Sequence, residues 1–526
     1  MIYIFLNSRF FLIFLTPFFL GCATVLSFQP FNYSFINFLI FPLFFFLITY
    51  AQKKSRNTYR KKPYLLNLFL IGYLFGIGFF LAGTFWISYS LTFDANFNFL
   101  IPFALIGLPL FLGIFFGISS LVAGPFLMNN FTSILLFSST LSFMDFLRER
   151  VLTGFPWNSW AYSWSWKPEL LQTLPLIGFH SLNLIVIVIY CSPLLLFFEN
   201  KKKNLSILFL ISVLFFINFI FGSTIISNNT EKNQDIKSNV YNTIYIKIIS
   251  PKFDLEYNLS GEDIEKNIEE LIKYSEPSFN KKTLFIWPEG VFSGYSFEEI
   301  KKYKSIFKKN FSDKHFILFG SNTTSITANQ VEETYNSMLV VNNEFEILHK
   351  YNKIKLVPFG EFLPLESFLS KIGLKKITEG HGSFKKGSKQ KIFELNNVNI
   401  LPLICYEIIF PGVINDNENK KNLIVNISED AWFGDSIGPH QHFAKAIFRA
   451  IENNVYLARS ANKGLSAFID NKGVTIKSLK PNEAGVIELN VPIINNKKLG
   501  YKIDLIFFVL LFTHVLIFII LRKKTL

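Results

Sequence analysis

The sequence predicts a protein in two parts: a polytopic α-helical membrane domain of about eight transmembrane helices, and an extramembrane α/β domain inserted before the last of them. Three observations predict it. Half of the 526 residues are apolar and only 17% are charged, a composition too oily for an ordinary soluble protein. Apolar runs long enough to cross a bilayer, which takes about 20 residues, recur through the first 222 positions and once more near the C-terminus. Between 223 and 503 the texture changes to alternating strand-like and amphipathic segments, as in a layered α/β domain.

The apolar runs lie at 9–27, 34–51, 64–90, 100–128, 131–147, 178–198, 205–222 and 504–521. Positive residues concentrate on cytoplasmic loops. That places three segments inside: the loop with Lys53, Lys54, Arg56, Arg60, Lys61 and Lys62, the loop with Lys201, Lys202 and Lys203, and the tail with Arg522, Lys523 and Lys524. Loops 28–33 and 91–99 carry neither Lys nor Arg and belong outside. Two cytoplasmic loops must be separated by an even number of spans, and four lie between the first two. The count depends on Asn129-Asn130 dividing the 100–147 region in two. With the N-terminus inside, a membrane domain over 1–222 puts the 223–503 domain on the outer face, and 504–526 returns as the last helix and tail. Phe19-Leu20-Gly21-Cys22 faintly matches a signal ending at a Cys, but the residues before Gly21 fit poorly and an uncleaved helix is expected.

The net charge of +14 would suit nucleic acid, but the basic residues bunch beside apolar spans, where they meet headgroups and set orientation. Gly72, Gly76, Gly78 and Gly83 permit close helix packing. Trp157, Trp160, Trp164 and Trp166 fall in one external loop, as an interfacial aromatic belt or as an entry for lipid.

In the 223–503 segment, 243–250, 283–286, 315–320, 335–341, 344–350, 398–404, 423–427 and 465–469 read as strands, and 261–274, 297–308 and 440–454 as helices. Cys22 and Cys191 lie in apolar spans, so Cys405 is alone in the soluble part. It ends the run Asn399-Ile400-Leu401-Pro402-Leu403-Ile404, a buried strand that delivers a thiol to the rim of a sheet. A lone Cys is more often a small core residue; as a nucleophile it needs a base or cation beside it. Two other strand ends offer these. Phe285-Ile286-Trp287-Pro288 presents Glu289, a candidate base. Tyr351-Asn352-Lys353 enters a Pro/Gly-bounded turn where an ammonium could meet an oxyanion, with Glu361 eight residues on. The Tyr406 amide could share that oxyanion. Taken singly, Glu289 and Lys353 are better explained as solvated.

The order Trp-Pro-Glu, then Lys, then Cys at the end of an apolar strand resembles the nitrilase superfamily. Tyr351–Glu361, Thr153–Trp157 and Asp430-Ala431-Trp432-Phe433-Gly434-Asp435-Ser436-Ile437-Gly438-Pro439-His440-Gln441-His442 are similar to its membrane-bound branch, the apolipoprotein N-acyltransferases. The resemblance implies a nitrilase-like αββα sandwich and a bacterial inner-membrane enzyme with its catalytic domain on the periplasmic face. It implies transfer of a phospholipid acyl chain to a Cys405 thioester, then to the free α-amine of a diacylglyceryl apolipoprotein, by a ping-pong route. Glu289 would be the general base, Lys353 the oxyanion stabiliser and Cys405 the nucleophile. Glu361, Tyr406 and Glu407 would be supporting residues, and Trp432 and Phe433 part of a substrate-handling loop. The expected partners are that phospholipid, the apolipoprotein and the bilayer, without nucleic acid, cofactor or metal, and with the chain acting as a monomer.

Gly290, Glu429, Tyr257 and Ile249–Phe253 depart from the family pattern around an intact triad. His440 and His442 form a His-Xaa-His pair, too weak a signal for a metal and better read as capping or packing the following helix. Two other functions fit the same residues in part: an anchored amidase or acyltransferase with a different amine acceptor, and a transporter or lipid-binding protein with a catalytically dead outer domain.

Overall fold

The computed structural model describes residues 10–57, 63–236, 243–256, 259–326, 332–364, 366, 383–389, 392–412, 421–494 and 503–523. Arg60, Lys61, Lys62, Lys524 and Tyr257 lie outside them. The chain forms two compact units, one of residues 1–88, 98–226 and 499–526, the other of 89–97 and 227–498.

In the first unit's helices, apolar side chains recur without a polar face. Among the described residues, six helices are long and apolar enough to cross a membrane: Ser34–Lys53, Tyr64–Leu91, Ala95–Phe126, Phe179–Leu196, Lys201–Asn229 and Asp504–Arg522. The other two predicted spans are helical but differ in kind. Phe11–Ser27 is shorter. Phe131–Arg148 carries six Ser and Thr residues as well as Asp145 and Arg148, which pair at 2.9 Å while Asn183 donates to Asp145 at 3.0 Å. An ion pair buried among helices satisfies these charges internally. The division at 129–130 holds, because Asn130 caps the second helix by accepting the Ser133 N–H at 3.0 Å. Gly72 and Gly76 sit where helices touch: a Cβ at Gly72 would fall 2.3 Å from the Phe116 carbonyl oxygen, and one at Gly76 2.8 Å from Gly113 Cα. The tryptophans are mostly core. Trp157, Trp160 and Trp164 are buried, and Trp160 stacks on Phe79 with centroids 5.0 Å apart; Trp166 alone of the four is exposed.

The second unit is built on two six-stranded sheets. The first runs β12(Gly485–Pro492), β1(Thr243–Ser250), β2(Thr283–Ile286), β3(His315–Ile326), β4(Glu332–Val341), β5(Ile347–Asn352). The second runs β11(Thr475–Leu479), β10(Ser466–Ile469), β9(Tyr456–Asn462), β8(Leu423–Glu429), β7(Val398–Ile404), β6(Phe393–Leu395). In each, three central strands are parallel: β1-β2-β3 and β7-β8-β9.

Strand alternation builds the layers. Ile246, Ile248, Leu284, Ile286, Met338 and Val340 of the first sheet face Ile400, Ile404, Val425, Ile427 and Ala458 of the second in one core. The opposite face of the first sheet, with Phe285, Trp287 and Phe319, is covered by Ile264, Ile268 and Leu271 of the Gly261–Ser275 helix. The Gly438–Asn453 helix lies on the second sheet's side, with Phe443, Ile447 and Ile451 buried. Each such aliphatic or aromatic side chain contributes about 1.5–3 kcal/mol on burial. The result is the expected α/β sandwich, helix on sheet on sheet on helix.

Candidate active site

Three strand ends converge. After β2, Trp287 keeps register by donating its N–H to the Leu318 carbonyl at 2.8 Å, and Pro288, with no N–H, ends the ladder. Glu289 then crosses β3 so closely that a Cβ at Gly320 would lie 2.9 Å from its Cα. From β5, the Lys353 N–H donates to the Asn336 carbonyl at 2.9 Å. From β7 comes Cys405. Pro402 is accommodated in that strand because β6 pairs only with Val398–Ile400, leaving Pro402 beyond its end. Cys405 itself has φ +44°, a left-handed conformation that costs an L residue about 1–3 kcal/mol and persists only where its surroundings enforce it.

Lys353, 1% exposed, places Nζ 2.9 Å from Glu361 Oε1 and 3.4 Å from Glu289 Oε1. Burial alone would pull its pKa down, but the two carboxylates outweigh it and hold the ammonium above its ordinary range. Asn336 donates Nδ2–H bonds to both carboxylates, at 2.7 Å to Glu289 and 2.6 Å to Glu361. Glu361 Oε2 accepts the Val357 N–H at 2.8 Å, closing the turn that carries it. Glu289 Oε2 accepts the Glu429 N–H at 3.1 Å.

The Cys405 thiol is half-buried within the fields of Glu289, Lys353 and Asp430, with a hydrogen bond to Ser428. Burial, reinforced by Glu289, pushes its pKa up against the pull of Lys353. The resting group is therefore a thiol, which must hand its proton to a neighbouring base to attack. Glu407 ties the converging segments together: it accepts from Tyr351 Oη at 2.8 Å, Ile354 N at 2.7 Å, Lys355 N at 3.2 Å and Ile404 N at 2.8 Å. Burial raises its pKa, opposed by these donors. The Tyr406 ring packs edge-on against Phe410, centroids 5.2 Å apart.

Trp432 meets Phe93 edge-on at 5.3 Å, and buried Phe433 meets His442 at 5.3 Å. Two of the departures noted in sequence are neighbours. Glu429 is buried with its carboxyl on Asn462 Nδ2, at 3.0 and 2.9 Å, and a Cβ at Gly290 would sit 2.7 Å from Glu429 Oε2. Burial pushes the Glu429 pKa well above its ordinary value, and the neighbouring Glu289 and Asp430 carboxylates push it the same way.

Asn336, Ser428 and Gly320 escape a motif reading. Asn336 carries one usable signal: it shares strand parity with core-facing Met338 and Val340, so a polar side chain there points between the sheets.

A family model described as apolipoprotein N-acyltransferase N-terminal domain matches residues 20–192, and one described as carbon-nitrogen hydrolase matches 255–493. The apolipoprotein N-acyltransferase of Bradyrhizobium diazoefficiens is 32% identical over 494 residues, covering 90% of this chain and 88% of that one. That of Rickettsia prowazekii is 32% identical over 477 residues, covering 90% of each. Among solved structures, a nitrilase-superfamily amidase of Nesterenkonia aligns with TM-score 0.35 and 16% identity over 48% of this chain and 92% of its own. With such identity to curated acyltransferases along nearly its whole length, the chain belongs to the apolipoprotein N-acyltransferase family.

Proposed function

We propose that this membrane acyltransferase moves a phospholipid acyl chain through a Cys405 thioester to the α-amine of a diacylglyceryl-cysteine at an apolipoprotein N-terminus, in a ping-pong sequence. The observation that carries the reading is the convergence of Lys353 Nζ on Glu289 and Glu361 beside the Cys405 thiol. Glu289 takes the thiol proton as Sγ attacks the ester carbonyl. Lys353 and the Tyr406 N–H stabilise the oxyanion. Collapse breaks the ester C–O bond, and the leaving lysophospholipid oxygen takes the proton from Glu289. The acceptor amine then attacks the thioester and gives its proton to Glu289, the amide forms, and the departing Cys405 thiolate recovers that proton.

Glu361 and Asn336 hold Lys353 and Glu289 in place, Glu407 fixes the turn that carries Cys405, and Trp432 and Phe433 line the approach of substrate. Domain limits of 1–222, 223–503 and 504–526, with seven spans before the catalytic domain, are part of the same proposal. So are eight spans in all, a bacterial inner-membrane location with the site on the periplasmic face, and action as a monomer. Both substrates are lipid-anchored, so a site tethered to the bilayer meets them where they diffuse.

The test is to incubate the purified chain with radiolabelled phospholipid and look for a hydroxylamine-labile adduct on Cys405, absent from Cys405→Ala. No adduct under turnover conditions refutes the mechanism. Mass spectrometry of lipoprotein N-termini after depletion reads the acceptor, and unchanged triacylation would sink that assignment.

A further inference from the structure

Behind Cys405 lies a buried polar chain that the proposed chemistry does not use. His442, from the Gly438–Asn453 helix, places Nε2 3.3 Å from the Cys405 carbonyl oxygen. Its Nδ1 lies 3.0 Å from Asp430 Oδ1 and 3.1 Å from an Arg459 guanidinium nitrogen, which also pairs with Asp430 Oδ2 at 2.8 Å. Ser428 donates to Asp430 at 2.6 Å, and Arg459 reaches Asn426 and the Leu465 carbonyl. His442, Asp430 and Arg459 are each no more than 1% exposed, and the Phe433 ring packs against the imidazole. The imidazole is fixed from three sides.

We propose that His442 is a positioning residue that aims the Tyr406 N–H at the reacting carbonyl by holding the Cys405 carbonyl oxygen. The proposal rests on the reading of Cys405 as nucleophile. A Cys, a His and an Asp in contact suggest a base for the thiol, but the contact is to the main-chain oxygen. A carbonyl can only accept, so the proton is on Nε2. Burial lowers the imidazole pKa against the pull of Asp430, and Nδ1 lies between Asp430 Oδ1 and the Arg459 guanidinium, which hold the ring in place.

The Cys405 C=O and the Tyr406 N–H belong to one planar trans peptide and point in opposite directions. Fixing the oxygen therefore fixes the direction of the N–H. This matters because Cys405 sits at φ +44°, where the chain would otherwise relax by rotating that peptide. The chain Arg459–Asp430–His442 supplies the outside constraint that such a conformation needs.

The test uses the full-length chain in nanodiscs with His442→Phe, which keeps a ring without the donor, and His442→Gln, which keeps a donor. Cys405 alkylation by iodoacetamide needs no oxyanion donor; thioester formation from labelled phospholipid does. His442→Phe should slow thioester formation about a hundredfold at unchanged phospholipid KM, with alkylation within about threefold of wild type and His442→Gln regaining about tenfold.

Wild-type thioester formation in His442→Phe overturns the proposal, as does a His442→Gln protein no faster than His442→Phe. Should His442→Phe not fold, His442→Gln decides alone: a loss beyond about a hundredfold in a folded protein overturns it. A wild-type chain that transfers acyl groups without a Cys405 adduct fails the nucleophile reading and takes this proposal with it, whereas adducts formed equally by wild type and His442→Phe fail this proposal alone.

Discussion

Tyr351 donates its phenol O–H to Glu407 at 2.8 Å, joining the last strand of one sheet to the turn after Cys405 in the other. Through the same Glu407 oxygen the Ile354 and Lys355 amides are held as well, so the segment carrying Lys353 and the segment carrying Cys405 move together. Replacing Glu407 by Ala strands several buried donors. We expect a loss of about 3 kcal/mol in unfolding free energy and a fall in thioester formation larger than the lost stability explains, measured by thermal denaturation alongside single-turnover labelling.

Cys405→Ala and Glu289→Gln should each abolish acyl transfer while leaving the melting temperature near that of the wild type. Neither change opens a large cavity, and the Gln amide oxygen can still accept from Asn336. Transfer at the wild-type rate by either variant would refute the assigned roles.

Lys353→Met leaves the Glu289 and Glu361 carboxylates facing each other without a cation. Breaking a buried pair in this way costs about 3–5 kcal/mol. The ammonium is held above its ordinary range by those carboxylates. Its contribution is therefore complete below the unfolded lysine value and fades only as pH rises past that value. The variant should accordingly be destabilised at neutral pH and differ less from wild type at strongly alkaline pH, as chemical denaturation across that range would reveal.

Asp430 works in the opposite direction. Arg459 and His442 outweigh burial and hold its pKa at about 2, against 3.8 for the free group. Its charge stabilises the fold above the unfolded value, and the contribution, about 2 kcal/mol by linkage, is lost as pH falls from about 4 toward 2. Asp430→Asn should remove that part of the acid limb in a stability profile; an unaltered limb would count against the ion-paired state.

Burial raises the Glu429 pKa. An acid with a raised pKa stabilises the fold below its unfolded value and loses that contribution as pH climbs toward the folded one. Glu429→Gln should thus transfer acyl groups at nearly the wild-type rate near pH 7 and resist alkaline unfolding better than the wild type. A hundredfold loss of transfer in Glu429→Gln would mean that its proton is used.

Of the strands whose apolar residues fill the inter-sheet core, β1, β2 and β7 were legible in sequence to the residue. β6 and β12 were not, and neither was β9. Its Arg459, Ser460 and Asn462 look like loop residues, yet they are buried because Asp430, the Ile249 carbonyl and Glu429 satisfy them. Partners remote in sequence leave no local pattern. The predicted 297–308 helix is interrupted at Lys301–Tyr303 by a tighter 3₁₀ turn, a change of pitch too small for periodicity to register.

By itself the sequence determined the membrane class, the α/β character of the inserted domain and the identity of Glu289, Lys353 and Cys405 as candidates, because hydropathy, strand period and long motifs are local properties. Only the tertiary structure decided that these three meet and that Asn336 braces two carboxylates on one ammonium. It also decided that Phe131–Arg148 is a helix with an internal ion pair, and that His442 touches a carbonyl rather than a thiol. Those facts depend on distances between residues far apart in the chain, such as Glu289 and Lys353, 64 positions apart, which chain order does not encode and which strand register and sheet packing set.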